Sequence, residues 1–131
     1  MTSLLNRVYP RFESVAVGGM TMSPGGRGGF SSFVSRDGVH LIFEHFEFPS
    51  HVAAKEAYHS MLNASERIIE REVLHDRTGK LVTGERVVAT FRNDDGVKSA
   101  AVISLDDTKV YWFASTSMRH VLFFERAHRR Y

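Results

Sequence analysis

Histidine and glutamate side chains in the first half of the chain are the residues best suited to acid–base chemistry. His40 and Glu44 lie four residues apart on one predicted strand, so their side chains project from the same face. They are too far apart along the strand to hydrogen-bond directly, and a proton-transfer site would need a partner from elsewhere on the sheet. His75 and Arg86 are the candidates for that partner. We predict that these four residues line a pocket if the sheet encloses one.

No motif in the chain specifies a reaction. His40 and His45 are five residues apart on one strand, so their side chains face opposite sides, and no histidine pair has the spacing of a known zinc motif. The chain has no cysteine, which excludes disulfides, thiolate metal ligands and a cysteine nucleophile. Ser115, Thr116 and Ser117 carry hydroxyls, but the sequence shows no base and no orienting group beside them. We therefore predict no metal site and no cofactor, and the sequence gives no support for a serine nucleophile.

A glycine-rich run from Gly25 to Phe30 resembles a single RGG element of the kind found in RNA-binding tails. In such an element a flexible backbone lets an arginine stack on bases or reach phosphate, so Arg27 and Phe30 are candidate nucleic-acid contacts. Functional elements of this kind usually occur in multiples, and a flexible tether is the alternative. Each end of the chain carries four arginines and one glutamate, while residues 37–117 are acidic overall. This distribution does not favour a nucleic-acid surface on the fold itself.

The elements that would position these residues form one domain. A chain of 131 residues has the usual size of a single domain. Residues 1–29 are predicted to be a flexible, glycine-rich basic arm, and residues 30–131 a single α+β domain. Apolar residues at three- and four-residue spacing predict a helix over residues 50–66, with Ser50 as its N-cap. Turn signals and β-branched runs predict strands at 38–48, 68–76, 81–92, 97–105 and 109–117, and residues 120–126 are predicted to be a sixth strand or a docked tail.

This element order predicts an α+β fold in which one long helix packs on a curled antiparallel β-meander of about five to six strands. Over residues 38–117 the order resembles the cystatin-like superfamily, in which a curled meander grips one long helix. The resemblance rests on topology alone. No stretch reaches the roughly 20 consecutive apolar residues of a membrane helix, and the first seven residues lack the apolar core of a signal peptide. We predict a cytoplasmic protein without a membrane partner.

The apolar surface of the predicted fold exceeds what one helix can cover. Residues 38–48 are apolar on both strand faces, which requires cover on both sides or a bulge. The run Val121-Leu122-Phe123-Phe124 adds a further apolar segment near the end of the chain. A second copy of the chain is the simplest cover, so we predict a homodimer through the sheet.

We predict a non-enzymatic accessory module that binds a small ligand or a protein on its curled sheet. The first alternative is an enzyme acting on a small molecule, with a His/Glu site in an NTF2-like pocket between helix and sheet. The second alternative is RNA binding through the basic arms. These alternatives place the binding residues in different parts of the molecule: on the curled sheet, in a pocket between helix and sheet, or in the basic arms.

Overall fold

The structure, a computed structural model, describes the backbone of residues 12–130 and the side chains of residues 16–128. It contains one antiparallel sheet and two helices. Helix α1 spans His51–Asn63 and helix α2 spans Met118–Arg130. The seven strands of the described residues are β1 Phe12–Met22, β2 Gly26–Ser35, β3 His40–Glu47, β4 Arg67–His75, β5 Val82–Arg92, β6 Lys98–Asp106 and β7 Lys109–Ser115.

Two antiparallel meanders join to make the sheet, whose strand order is β1-β2-β3-β7-β6-β5-β4. β1, β2 and β3 form the first meander, and β4 to β7 form the second after α1. The seam is the pairing of β3 with β7, in which Phe43 lies opposite Phe113. β1 and β4 are therefore the two edges, and the interior strands carry most of the apolar residues, as burial on both faces requires.

Helix α1 begins where the sequence predicts it. Ser50 is the N-cap, and its hydroxyl oxygen accepts a hydrogen bond from the backbone N–H of Ala53 at 3.1 Å. The helix ends at Asn63, after 13 residues rather than the predicted 17, because the backbone N–H of Glu66 already bonds to the carbonyl of Thr90 on β5. The N-cap prediction is confirmed, and the helix is one turn shorter.

Helix α2 replaces the strand or tail predicted at residues 120–126. Val121 and Phe124 are fully buried, and Glu125 and His128 continue the same side of the helix at a spacing of three and four residues. In the sequence the run Val121–Phe124 suggests a strand, because four apolar residues follow one another. In the helix only two of them, Val121 and Phe124, are fully buried. Phe123 is 54% exposed. The strand prediction for this segment is wrong because tertiary burial decides which of these residues are used.

The two helices cover opposite faces of the sheet. α1 packs with Phe46 and Phe48 and with alternate residues of β5, β6 and β7, including Val87 and Ile103. α2 packs on the residues between them, including Phe43, Val102 and Phe113. Because successive strand residues point to opposite faces, β3, β5, β6 and β7 each contribute to both cores. Both faces of β3 are thus packed within one chain, although Ile42 is 40% exposed.

The predicted fold class is wrong in its number of elements and in its layering. A single long helix on five to six strands would leave one sheet face bare, whereas the described residues form seven strands between two short helices. Within residues 12–130 the cystatin-like arrangement of one gripped helix is not present. The prediction lacks β1, β2 and α2. The local sequence of these three segments does not indicate the structure they adopt.

Residues 12–29, predicted to be part of a flexible arm, are instead β1 and the start of β2. Gly25, with a φ of 82°, makes the turn between the two strands. Gly28 is needed for close approach, since a Cβ there would lie 1.7 Å from the carbonyl oxygen of His45 on β3. Glycines that suggest flexibility in the sequence are used here for strand contact. Residues 1–11 lie outside the described residues.

The N-cap of α1 gives a first test of this architecture. Replacing Ser50 with alanine removes the acceptor for the Ala53 N–H and is expected to lower the free energy of unfolding by about 1 kcal/mol. Replacement with aspartate, which also caps helices, should restore the wild-type value. Urea denaturation followed by far-UV circular dichroism measures both. Equal stability of the alanine and aspartate variants would contradict the capping role.

Candidate functional site

A cavity of about 450 Å³ lies between the second half of α2 and the β4–β7 part of the sheet. This volume is within the range of small-molecule sites in proteins. Strands β4 to β7 supply the floor and rim, and α2 supplies one wall. The lining residues are Leu74, His75, Thr83, Arg86, Ser104, Asp106, Tyr111, Phe113, Glu125 and His128.

The innermost part of the cavity is a buried ion pair between strand β5 and helix α2. Arg86 donates from Nε to one oxygen of Glu125 at 3.2 Å and from Nη2 to the other at 3.0 Å. Only 9% of the Arg86 side chain and 2% of the Glu125 side chain are exposed. This two-point contact fixes the guanidinium plane, because the fork of donors matches the two carboxylate oxygens.

Two further carboxylates on the edge strand β4 approach the same arginine. Glu70 lies 3.4 Å and Glu72 lies 3.6 Å from Nη1 of Arg86. Glu72 is directly opposite Arg86 in the β4–β5 pairing, so the strand register places it there. With Glu125, three carboxylates contact this guanidinium, and Asp106 adds a fourth carboxylate to the cavity region. The region is therefore acidic, and the Arg86 donors are already occupied by carboxylates.

The protonation states follow from burial and these neighbours. Burial by itself lowers the pKa of Arg86, but the hydrogen bonds and charge of Glu125, with Glu70 and Glu72, outweigh it and raise that pKa. Burial lowers the pKa of the His128 imidazole below its ordinary value. Glu125 opposes that shift, and His45 adds to it. At neutral pH the cavity thus contains a charged arginine and a neutral histidine.

His128 forms part of the wall between the cavity and the α2-side core. Its ring centroid lies 4.8 Å from that of Phe43 and 5.4 Å from that of Phe113. Tyr111, also in the lining, has a stacked contact with Phe43, and burial raises the pKa of its hydroxyl. A neutral imidazole and an un-ionised phenol can each donate and accept a hydrogen bond. The wall therefore offers aromatic surface together with adaptable polar groups.

The sheet separates the four predicted acid–base candidates into two pairs. His75 and Arg86 line the cavity on the α2 side. His40 and Glu44 belong to the alternate residues of β3 that face the α1 side, in register with Phe46. Glu44 is half-buried there, and burial raises the pKa of its carboxyl. The structure therefore does not bring these four residues to one site.

The two candidate nucleic-acid contacts lie within a paired strand. Arg27 and Phe30 are on β2, which pairs with β1 on one side and with β3 on the other. The Phe30 ring rests over Gly18, where a Cβ would come within 2.7 Å of the ring. The flexible glycine backbone on which the RNA-binding prediction depends is therefore part of the sheet.

Sequence reasoning missed most of the cavity residues. Glu125 and His128 were hidden because their segment was predicted to be a strand or tail. Their spacing of four and seven residues from the buried Val121 is the signal that identifies them as one face of a helix. In the part of the chain that the structure describes, no group of three or more histidine or acidic side chains is placed to hold a metal ion.

The chain was compared with known proteins at three levels. No protein family, no curated protein and no solved structure matches it. Membership of the cystatin-like superfamily therefore stays a prediction. Within residues 12–130, neither helix has the length and apolar character needed to cross a membrane.

Proposed function

We propose that the protein is a binding module that holds a small ligand in the cavity between α2 and strands β4 to β7 and carries out no reaction on it there. The observation that carries this proposal is the buried Arg86–Glu125 pair at the inner end of a cavity with aromatic walls. A buried ion pair of this kind is costly to desolvate and adds little net stability. A few fixed polar groups in a cavity with apolar walls are typical of a site that orients a polar ligand.

The charges support a ligand that carries an amino group. The guanidinium of Arg86 is bound by three carboxylates, so an anionic ligand would have to displace one of them. Asp106 at the exposed rim adds a further negative charge, with Lys109 opposite it in the β6–β7 pairing but outside the lining. Tyr111 and Phe113 supply an apolar surface for the rest of the ligand. The combination favours a small aromatic or aliphatic amine over a carboxylic acid.

This ligand class can be tested with matched pairs of small molecules. Tyramine and 4-hydroxyphenylacetate have similar size but opposite charge, and so do tryptamine and indole-3-acetate. We expect the amines to shift the amide NMR signals of Ser104 and Tyr111 with saturation at submillimolar to millimolar concentration, and the acids to have no such effect. Stronger binding by the acids would overturn the proposed ligand class, and no binding by either set would overturn the proposed site.

A rim variant locates the binding. Replacing Asp106 with asparagine removes one negative charge from an exposed position, so we expect amine affinity to fall about 3- to 10-fold, equivalent to roughly 1 kcal/mol. Asp107→Asn is the matched control, because it makes the same charge change one residue away, outside the cavity lining. Asparagine also tolerates the backbone φ of 57° at position 107. Isothermal titration with tyramine measures both. Equal losses in the two variants would indicate a general charge effect and contradict binding in this cavity.

The predicted homodimer and the cytoplasmic location stay predictions. The dimer prediction depends on apolar surface that one helix leaves bare, and α2 packs on that surface with Val121 and Phe124.

Apolar side chains do remain exposed on the β4–β5 hairpin, among them Ile69, Val73 and Val82. We propose this edge as the contact for any self-association, and light scattering of the Val73→Lys variant against wild type tests it.

A further inference from the structure

Ser117, His120 and Asp37 form a hydrogen-bonded relay at the opposite end of α2 from the cavity. Ser117 Oγ lies 2.6 Å from His120 Nδ1, and His120 Nε2 lies 3.2 Å from Asp37 Oδ2. Asp37 is in the turn between β2 and β3, and the hydroxyl of Ser35 donates a hydrogen bond to its other oxygen, Oδ1. Two segments distant in sequence, the β2–β3 turn and the start of α2, thus bring a hydroxyl, an imidazole and a carboxylate together.

The carboxylate determines which ring nitrogen of His120 carries the proton. Asp37 is ionised at neutral pH, because the Ser35 hydrogen bond lowers the pKa of its carboxyl. Burial opposes this shift, and a backbone hydrogen bond and the contact with His120 add to it. A carboxylate only accepts hydrogen bonds, so Nε2 of a neutral imidazole must be the donor to it. Nδ1 then has a lone pair directed at Ser117 and can accept the hydroxyl proton. This is the order of donors and acceptors that activates a serine.

Ser117 also occupies the junction between a strand and a helix. β7 ends at Ser115, and α2 begins at Met118. Ser117 is the N-cap of the helix, since its Oγ accepts from the backbone N–H of His120 at 3.3 Å and its carbonyl accepts from Val121 at 3.1 Å. The cap and a nucleophilic role are compatible, because a hydroxyl donates one hydrogen bond and accepts two.

The helix terminus adds what an oxyanion needs. The first backbone N–H groups of a helix have no intrahelical acceptor and carry partial positive charge. In α2 these include the N–H groups of Met118 and Arg119, the two residues that follow Ser117. Nucleophilic serines of unrelated hydrolases lie at such strand-to-helix turns, and the N–H of the next residue stabilises the oxyanion. The relay and the helix start meet at Ser117.

We propose that Ser117 is a nucleophile for acyl transfer from small carboxylic esters, with His120 as its general base and Asp37 as the residue that positions His120. Ser117 Oγ bonds to the acyl carbon while its proton moves to His120 Nδ1. The ester C–O bond breaks, and the leaving alcohol takes that proton. Water then attacks the acyl-serine and gives a proton to His120, which returns it to Ser117 Oγ as the carboxylic acid leaves.

This activity goes beyond ligand binding in the cavity and does not depend on it, because none of the three relay residues lines the cavity. Ser117 is half-buried as a residue, which is compatible with approach of a small ester from solvent. The imidazole is more enclosed, with 13% of its side chain exposed, which protects the relay from competing water. A site of this kind suits small, activated esters rather than long acyl chains.

Covalent labelling with a fluorophosphonate probe tests the nucleophile directly. In the reaction Oγ–P forms and fluoride leaves, so intact mass spectrometry counts the adduct and tandem spectra locate it. We expect one adduct on Ser117 of the folded full-length chain, and none when the protein is unfolded in urea. His120→Gln should slow labelling about 100-fold, the usual size of a general-base contribution. The neighbouring Thr116→Ala, which removes an exposed hydroxyl outside the relay, should label at the wild-type rate.

Variants of Ser117 separate chemistry from helix capping. Ser117→Asp keeps a good N-cap but has no hydroxyl, so it should fold with a wild-type melting temperature and take no label. Labelling of this variant at the wild-type rate, or absence of a Ser117 adduct in the folded wild type, would overturn the proposal. Loss of label in Thr116→Ala alone would equally contradict the assignment.

The positioning role of Asp37 has its own spectroscopic readout. Long-range nitrogen–proton NMR spectra distinguish the two imidazole tautomers, and we expect His120 to carry its proton on Nε2 in the wild type. Asp37→Asn should move the proton toward Nδ1 and slow labelling at least about 10-fold, whereas Asp37→Glu should retain part of the rate. An unchanged tautomer together with an unchanged labelling rate in Asp37→Asn would show that Asp37 has no part in the relay.

Discussion

Replacing Glu125 with leucine is expected to lower the free energy of unfolding by about 3 kcal/mol. The substitution removes both carboxylate contacts at Nε and Nη2 of Arg86 but leaves the guanidinium buried. Glu70 and Glu72 still approach Nη1 from the edge strand, which limits the loss. Urea denaturation followed by circular dichroism and by tryptophan fluorescence measures the effect and tests whether unfolding is two-state.

A double-mutant cycle shows whether the loss comes from the ion pair. Arg86→Met alone leaves the Glu125 carboxylate buried without its guanidinium and should cost about 4 kcal/mol. The double variant with methionine and leucine should recover most of the stability, because well-packed apolar residues can replace a buried ion pair at little cost. A double variant no more stable than either single variant would contradict this account.

An exposed ion pair on the same sheet supplies the matched control. Arg92 and Glu66 are joined by a contact of 2.7 Å, shorter than those of Arg86, but both side chains are well exposed. Arg92→Met and Glu66→Leu should therefore have a far smaller effect than the corresponding changes in the buried pair, since water solvates whichever charge remains. This comparison separates burial from distance as the source of the energy.

Replacing Gly28 with alanine is expected to cost about 3 kcal/mol or more and to leave part of the protein unfolded at room temperature. The new Cβ would lie 1.7 Å from the carbonyl oxygen and 2.7 Å from the carbonyl carbon of His45. β2 pairs with strands on both sides, so it cannot move away without breaking hydrogen bonds to β1 or β3. Thermal denaturation and amide NMR spectra measure the effect.

Gly19→Ala is the matched control for this prediction. Gly19 lies on β1 beside the same hairpin, but the nearest atom to its Cβ is 3.9 Å away, and alanine there should change stability by no more than about 0.5 kcal/mol. If residues 12–29 were an unstructured arm, both substitutions would be silent. A neutral Gly28→Ala variant would therefore contradict the pairing of β2 with β3 at this position, not only this contact.

Several elements of the fold can be predicted from the sequence, because residues close together in the chain specify them. Ser50 followed by apolar residues at helical spacing specifies the start of α1, and the capping contact to Ala53 lies within four residues. The turns around Gly79 and Gly96, both with positive φ, specify the hairpins between β4, β5 and β6. In each case the residues that decide the structure are neighbours in the chain.

The elements that were missed depend on distant partners. The glycines of β1 and β2 suggest flexibility until β3 lies beside them, since only then does the absence of a side chain become a requirement for contact. The segment of α2 has an apolar run that suits a strand, and the choice of helix depends on the open face of β6 and β7, where Val121 and Phe124 are buried. Local pattern and tertiary burial disagree in both segments, and burial decides.

The candidate sites show the same division. The sequence predicts a pocket lined by His40, Glu44, His75 and Arg86. The structure places His75 and Arg86 in the cavity lining, with His40 and Glu44 on the other face of the sheet. Glu125, the partner that gives Arg86 its role, lies 39 residues away on a helix that the sequence did not reveal. The sequence shows the hydroxyl of Ser117 but not its partners. His120 lies in the helix that the sequence does not predict, and Asp37 lies 80 residues before Ser117.

The amino-acid sequence by itself determined a cysteine-free α+β chain, the first helix with its N-cap, and the succession of β3 to β7. Those features depend on hydrogen bonds and side-chain periods that span a few residues. Only the tertiary structure decided that a second helix covers the other sheet face, that the glycine-rich segment is a paired hairpin, and which side of each strand a polar residue occupies. The physical reason is that sidedness and long-range pairing are properties of the packed sheet, where moving one residue along a strand transfers a side chain from one core to the other.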